Sequence, residues 1–265
     1  MNQFENRRAF IARLAKGVTA ALVVACTPSP TTPQPTTGGT TAVPAPGTGP
    51  PSTNPAAPSS TAPVVTTAST EGYRWSRTDL GFVSAYVLVR AGEAVIVDTG
   101  VAGSVDAIET TLTGLGAGWG DVSSVIITHE HGDHAGSAQA VLDRATAAIG
   151  YAAEPDIRNI ESPRPLTAVS GGDTVAGLEI IATPGHTPGH IAVLDPGRIL
   201  VTGDAINNVD GTLTGPNPQF SSDMDTALAS VGVLAGFDYE VALFGHGVPI
   251  ESGASLRVSD LAASL

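Results

Sequence analysis

The chain has 265 residues, enough for one ordinary domain or two small ones, and with 42% hydrophobic against 14% charged residues it can bury a sizeable core. Twelve Lys+Arg against 25 Asp+Glu leave a net charge of −13, which removes the basic stripe that a nucleic-acid-binding surface needs. The one cysteine, Cys26, excludes intrachain disulfides, cysteine-rich zinc modules and a catalytic thiol in the rest of the chain.

Residues 1–25 are expected to form an export signal peptide. They carry four cations (Arg7, Arg8, Arg13 and Lys16) and one anion, Glu5. The pair Arg7-Arg8 ahead of Phe10 and Ile11 resembles a twin-arginine (Tat) export signal. The apolar run from Gly17 to Ala25 is nine residues long. A bilayer span needs about 20, so this run fits the core of a signal peptide and not a membrane helix. Val23-Val24-Ala25-Cys26 resembles a bacterial lipobox, in which Cys26 becomes the lipidated first residue. These features predict an exported, extracytoplasmic lipoprotein, with the lipid bilayer as a partner through its N-terminal anchor. Residues 26–70 carry no charge, and 11 of the 20 prolines lie there. Such a Pro/Thr/Ser-rich segment cannot bury a core and is expected to be a disordered linker.

Residues 71–265 have the composition of a folded domain, with eight cations, 24 anions and no lysine. Phe82–Arg90 and Glu93–Asp98 are apolar, β-branched runs joined by Ala91-Gly92, the pattern of a hairpin. Val105, Ile108, Leu112 and Leu115 lie at helical spacing, with Ser104 as N-cap and glycines from 114 onward as the stop. Val122–Thr128 reads as a buried strand and Ala135–Ala145 as a short helix. Leu178–Ala182, Ile191–Leu194, Ile199–Thr202 and Val241–Phe244 read as further strands. Asp223 opens a helix marked by Ala227, Leu228, Val231, Leu234 and Ala235, and Val258, Leu261 and Leu265 mark a last one. Strands alternating with helices place the domain in the α/β class.

All six histidines fall just past the ends of these strands. His129-Glu130-His131-Gly132-Asp133-His134 follows the strand ending at Thr128. His186 and His190 follow the strand ending at Ala182, Gly203-Asp204 follows Thr202, and Gly245-His246-Gly247 follows Phe244. Strand ends project side chains from a rigid sheet into one rim, where α/β proteins commonly build sites. Imidazole and carboxylate suit zinc, manganese or iron, and no thiolate competes. His129 and His131 can reach one ion together, Asp133 and His134 a second, and His186 and His246 can each complete one of them. A carboxylate such as Asp204 can lie between two cations and lower their mutual repulsion.

The ordered set His-x-His-x-Asp-His, His, Asp, Gly-His resembles the metallo-β-lactamase superfamily, over roughly residues 80–250. It includes an early acidic residue, Asp98, in Val95-Ile96-Val97-Asp98-Thr99-Gly100. The resemblance implies an αββα sandwich with metals at one edge. It implies one ion on His129, His131 and His186, another on Asp133, His134 and His246, and Asp204 between them. Asp98 and His190 would stand behind these ligands and orient them. Two Zn²⁺ (Fe or Mn possible) holding a bridging hydroxide would cleave an ester, thioester, lactone or amide of a small molecule, with Asp133 aligning the nucleophile as the catalytic residue. The nearest likeness is to glyoxalase II-type thioesterases and related lactonases. Only 19 residues follow His246, with Arg257 their one cation, which argues against glutathione thioesters. The absence of cysteine at the position of Asp204 argues against a β-lactamase. A mononuclear iron oxygenase of the persulfide dioxygenase kind shares much of the motif. A non-catalytic metal-binding lipoprotein is disfavoured by the complete ligand set.

Overall fold

The computed structural model describes residues 72–265. The expected signal peptide, the lipidation site Cys26 and the linker lie outside the described residues. A six-stranded sheet has the order β1 (Arg74–Asp79), β2 (Ser84–Arg90), β3 (Glu93–Val97), β4 (Val122–Ile126), β5 (Ile149–Ala153), β6 (Thr167–Val169). Its first three strands are antiparallel and the rest join in parallel. Helices α1 (Val105–Gly114), α2 (Gly132–Ala135), α3 (Ala138–Arg144) and α4 (Glu154–Ile157) lie in the connections. A second, five-stranded sheet is formed by β7 (Thr174–Val175), β8 (Leu178–Ala182), β9 (Ile191–Asp195), β10 (Ile199–Val201) and β13 (Val241–Leu243), in the order β13-β10-β9-β8-β7. Between β10 and β13 come the small hairpin β11 (Asn207–Val209) and β12 (Thr212–Thr214) and helix α5 (Met224–Leu234); α6 (Ala254–Ser264) ends the chain.

Side-chain alternation along the strands builds three apolar layers. On β2 and β3, Val87, Val89, Ala94 and Ile96 face Ile108, Leu112, Val141 and Leu142 of the first helical layer. Their neighbours Tyr86, Leu88, Val95 and Val97 face Leu178, Ile180, Ile191, Val193, Ile199 and Val201 of the other sheet. The opposite face of that sheet, Ile181, Ala192, Leu194, Leu200 and Phe244, packs on Val231, Leu234 and Val258 of α5 and α6. Helix, sheet, sheet, helix is the αββα sandwich. Period-two alternation produces it because both faces of each central strand are covered.

One expectation changes in detail. The helix expected over Ala135–Ala145 is shorter, α3 over Ala138–Arg144, and Ala135 instead ends the one-turn α2. The His134 carbonyl accepts from the Thr99 N–H (2.7 Å) and hydroxyl (2.9 Å), which diverts it from the helical ladder. The polar stretch after Asp204 contains the β11–β12 hairpin. Strands β1, β5, β6 and β7 are additions. β1 is a charged edge strand, and β5 hides its alternation in the small residues Gly150, Ala152 and Ala153. Tyr73, Trp75 and Tyr151 line the inter-sheet core, and Trp119 packs against the first helical layer.

The two sheets close on each other along one edge. Ile191 N–H donates to the Thr128 carbonyl (2.9 Å), Ser84 N–H to Gly245 (2.9 Å), and the Tyr86 hydroxyl to the Phe244 carbonyl (2.8 Å). These bonds bring the end of β4 against the start of β9 and the start of β2 against the end of β13, which fixes where the loops carrying the histidines meet.

Candidate functional site

All seven expected ligand residues converge at that edge. Three groups have ligand atoms within 4.8 Å of one another: His129, His131 and His186; His129, His134 and Asp204; and Asp133, His134 and His246. His131 Nδ1 is 3.1 Å from His129 Nε2 and 3.0 Å from His186 Nε2. Asp204 Oδ1 is 3.2 Å from His134 Nε2, and its Oδ2 is 3.1 Å from His246 Nε2 and 3.5 Å from His186 Nε2. Asp133 Oδ2 is 3.4 Å from His246 Nε2. His129, His134 and His186 are buried, whereas His131, Asp133 and His246 are partly exposed and form the open side.

The hydrogen bonds behind the rings decide which nitrogens face inward. Thr128 Oγ1 donates to Asp98 Oδ2 (2.9 Å), so it accepts from His129 Nδ1–H (3.0 Å). Ser221 Oγ donates to the Asn217 carbonyl (2.8 Å), so it accepts from His186 Nδ1–H (3.1 Å). His134 Nδ1–H donates to Asp98 Oδ2 (2.8 Å), and His246 Nδ1–H to the Phe82 carbonyl (2.6 Å). Neutral, each of these four rings therefore presents an Nε2 lone pair to the interior. His131 Nδ1 can carry at most one proton for two neighbouring lone pairs, so this cluster calls for a cation.

Two further observations fit a metal. His134 Nε2 and Asp204 Oδ1 are buried and misaligned for a hydrogen bond, without other partners. Ligands of a tetrahedral zinc with bonds of about 2.0–2.1 Å lie roughly 3.3 Å apart, close to the spacings here. For His129 and His186 the electrostatics agree. Burial and the surrounding imidazoles push His129 well below its ordinary pKa, and burial lowers His186 to about 4. Both are neutral at pH 7, as ligation requires. Burial opposes ionisation of Asp204, yet His134 and His246 hold it well below the usual carboxylate range. Burial also opposes a charge on His134 and His246. For His134 the carboxylates of Asp204 and Asp98 overcome it, and for His246 the bond to Asp204 does, so both are raised.

The supporting residues divide into those the sequence indicated and those it did not. Asp98, buried with φ of 61°, accepts from Thr128 N–H (2.7 Å), Thr128 Oγ1 and His134 Nδ1. His190 points neither nitrogen at the cluster. Its Nε2 accepts from the Asp204 N–H (3.0 Å), its Nδ1–H donates to Thr183 Oγ1 (2.7 Å), and burial drives its pKa to about 3. It is bonded to the Asp204 main chain and offers neither nitrogen to the cluster. Gly245 passes so close behind the cluster that a Cβ would collide with Asp204 Oδ1 and His134 Cε1. Ser221, Thr183, the Phe82 carbonyl and Asp156 carried no recognisable signal. All but Thr183, seven residues before its partner His190, act from segments distant in sequence.

The family model of the metallo-β-lactamase superfamily matches residues 78–246. A probable metallo-hydrolase, YflN of Bacillus subtilis, is 32% identical over 184 residues, covering 53% of this chain and 69% of that protein. A hydroxyacylglutathione hydrolase (glyoxalase II) of Dechloromonas aromatica is 29% identical over 168 residues, covering 60% of this chain and 58% of that protein. In fold, a metallo-β-lactamase family protein from Thermus thermophilus matches with a TM-score of 0.58 and 24% identity, over 73% of this chain and 79% of that one. The expected likeness to glyoxalase II-type enzymes is thus present, and the chain belongs to the metallo-β-lactamase superfamily as one of its metal-binding hydrolases.

Proposed function

We propose that this chain hydrolyses an ester, thioester, lactone or amide bond of a small molecule at a dinuclear zinc centre. His129, His131 and His186 hold one ion; Asp133, His134 and His246 hold the other. The observation that carries this reading is the position of Asp204 Oδ2, within 3.5 Å of His186 Nε2 and 3.1 Å of His246 Nε2, so that one carboxylate reaches both groups. Iron or manganese fits the same donors.

Zinc when bound supplies a Lewis acid and lowers the pKa of water from 15.7 to about 7. The chain's own residues do the rest. Asp98, Thr128, Ser221 and Phe82 keep four imidazoles oriented with Nε2 inward. Asp133, on the open side, orients the attacking water and takes its proton. The relatives named metallo-hydrolase and hydroxyacylglutathione hydrolase support hydrolysis of an acyl substrate.

Elemental analysis of the purified chain, with a thioester, ester and lactone panel before and after chelation, tests this. The expected content is two zinc ions per chain. Stripping an ion held at about 100 times its Kd removes about 2.7 kcal/mol and lowers Tm by roughly 5–10 °C for a domain of this size. Activity disappears with the metal and returns on adding zinc. Unchanged turnover and Tm in the stripped protein, or a single iron with oxygen uptake, would overturn the proposal.

We also place the protein outside the cytoplasm, anchored as a lipoprotein, on the strength of Arg7-Arg8 and Cys26. Replacing Cys26→Ser is expected to move the protein from the membrane fraction to the soluble one. Unchanged membrane association in that variant would sink the anchor.

A further inference from the structure

Asp156 is completely buried, and nothing in the chemistry above uses it. It stands in α4, directly after β5 of the first sheet. Its Oδ2 accepts from the Glu130 N–H (3.1 Å) and the Thr187 hydroxyl (2.6 Å), and its Oδ1 accepts from the Gly189 N–H (2.7 Å). Glu130 lies between His129 and His131; Thr187 follows His186, with Gly189 two residues further on. One carboxylate thus ties the loop after β4 in the first sheet to the loop after β8 in the second. The approach is close, since a Cβ on Gly189 would meet Asp156 Oδ1 at 2.6 Å. The Asn159 amide, just past α4, also donates to the Glu130 carboxylate and so fixes the same segment to the loop after β4.

We propose that Asp156 is a positioning residue that sets the spacing of His129, His131 and His186 across the two sheets. These three imidazoles come from two loops on separate sheets, and nothing covalent fixes their separation. A carboxylate accepting N–H and O–H bonds from both loops does so, because such charge-assisted bonds are stronger and more directional than neutral ones. The bonds go to atoms beside the ligands and not to the imidazoles themselves. His134 and His246 are held by other means, through Asp98 and the Phe82 carbonyl. The proposal therefore assigns Asp156 to one metal group and not to the other.

The inference rests on the metal reading above, and its test separates the two. Zinc binding to the full chain is measured by chelator competition in the wild type, Asp156→Ala, Asp156→Asn and Thr187→Val. The event belonging to the three-histidine group is identified by its loss in His131→Ala. Asp156→Ala is expected to weaken that event about 10- to 100-fold and to leave the other within about twofold. Asp156→Asn, which keeps one acceptor, falls in between. Thr187→Val removes one of the three bonds and weakens the event about three- to fivefold, and it decides the question if the Asp156 variants do not fold. Replacing zinc with cobalt gives a second readout, a shifted absorption spectrum confined to the same group. Equal weakening of both events, or no weakening in any variant, would overturn the inference alone. A wild-type chain that takes up no zinc would overturn it together with the metal reading.

Discussion

The double variant His129→Ala, His131→Ala is expected to lose kcat/KM by at least about 10⁴-fold, with zinc content falling from two ions per chain to at most one. The two residues supply two of the three nitrogens of this group, in which His131 Nδ1 lies 3.1 Å from His129 Nε2 and 3.0 Å from His186 Nε2. Without them only His186 and the shared Asp204 face the vacated position, too few donors to hold a zinc ion against water. Asp204 then loses its place between two cations, which also weakens the group built on His134 and His246. The fold is expected to persist, because the three apolar layers do not draw on either residue. The comparison is therefore made between metal-free wild type and metal-free variant, whose Tm values should lie close together. Full turnover by the double variant would refute the assignment of these side chains.

The legibility of the sequence followed the distance over which each feature is encoded. The strands β2, β3, β8 and β9 were readable because alternation and β-branching are local. The seven candidate ligands were readable because each follows an apolar strand and four sit within the six residues from His129 to His134. What lay hidden was made by contacts between distant segments. Asp156 belongs to Glu154-Pro155-Asp156, which by itself is an acidic first turn of a short helix with proline near its start. Only the meeting of three loops shows that its carboxylate faces inward. Ser221 reads as linker until it lies beside His186, 35 residues away. The break between α2 and α3 depends on Thr99 capturing a carbonyl from another element. His190 shares the spacing of a ligand and is separated from the ligands only by where its nitrogens are bonded.

The second large effect is expected at Asp98, where two substitutions should separate orientation from stability. Asp98→Ala leaves the buried Thr128 N–H, the Thr128 hydroxyl and His134 Nδ1–H without their acceptor. Unpaired buried groups cost about 1–3 kcal/mol each, so three of them imply a loss of at least about 3 kcal/mol. Alanine also tolerates φ of 61° poorly. At roughly 2–4 °C per kcal/mol, Tm should fall by about 10 °C or more. Asp98→Asn behaves differently. Asparagine accepts the positive φ and keeps an oxygen for the Thr128 N–H, so stability falls by only about 1 kcal/mol. Its amide NH₂ then faces His134 Nδ1. Two donors cannot share that contact, so His134 shifts its proton to Nε2 and aims an N–H, where the wild type aims a lone pair, at Asp204 and the metal position. Hydrolysis and binding at the group of Asp133, His134 and His246 should drop about 10- to 100-fold while Tm barely moves. Thermal melts and zinc titrations on the two variants check this together. If Asp98→Asn keeps wild-type affinity, the tautomer of His134 is not what Asp98 controls, and its role reduces to holding Thr128 in place.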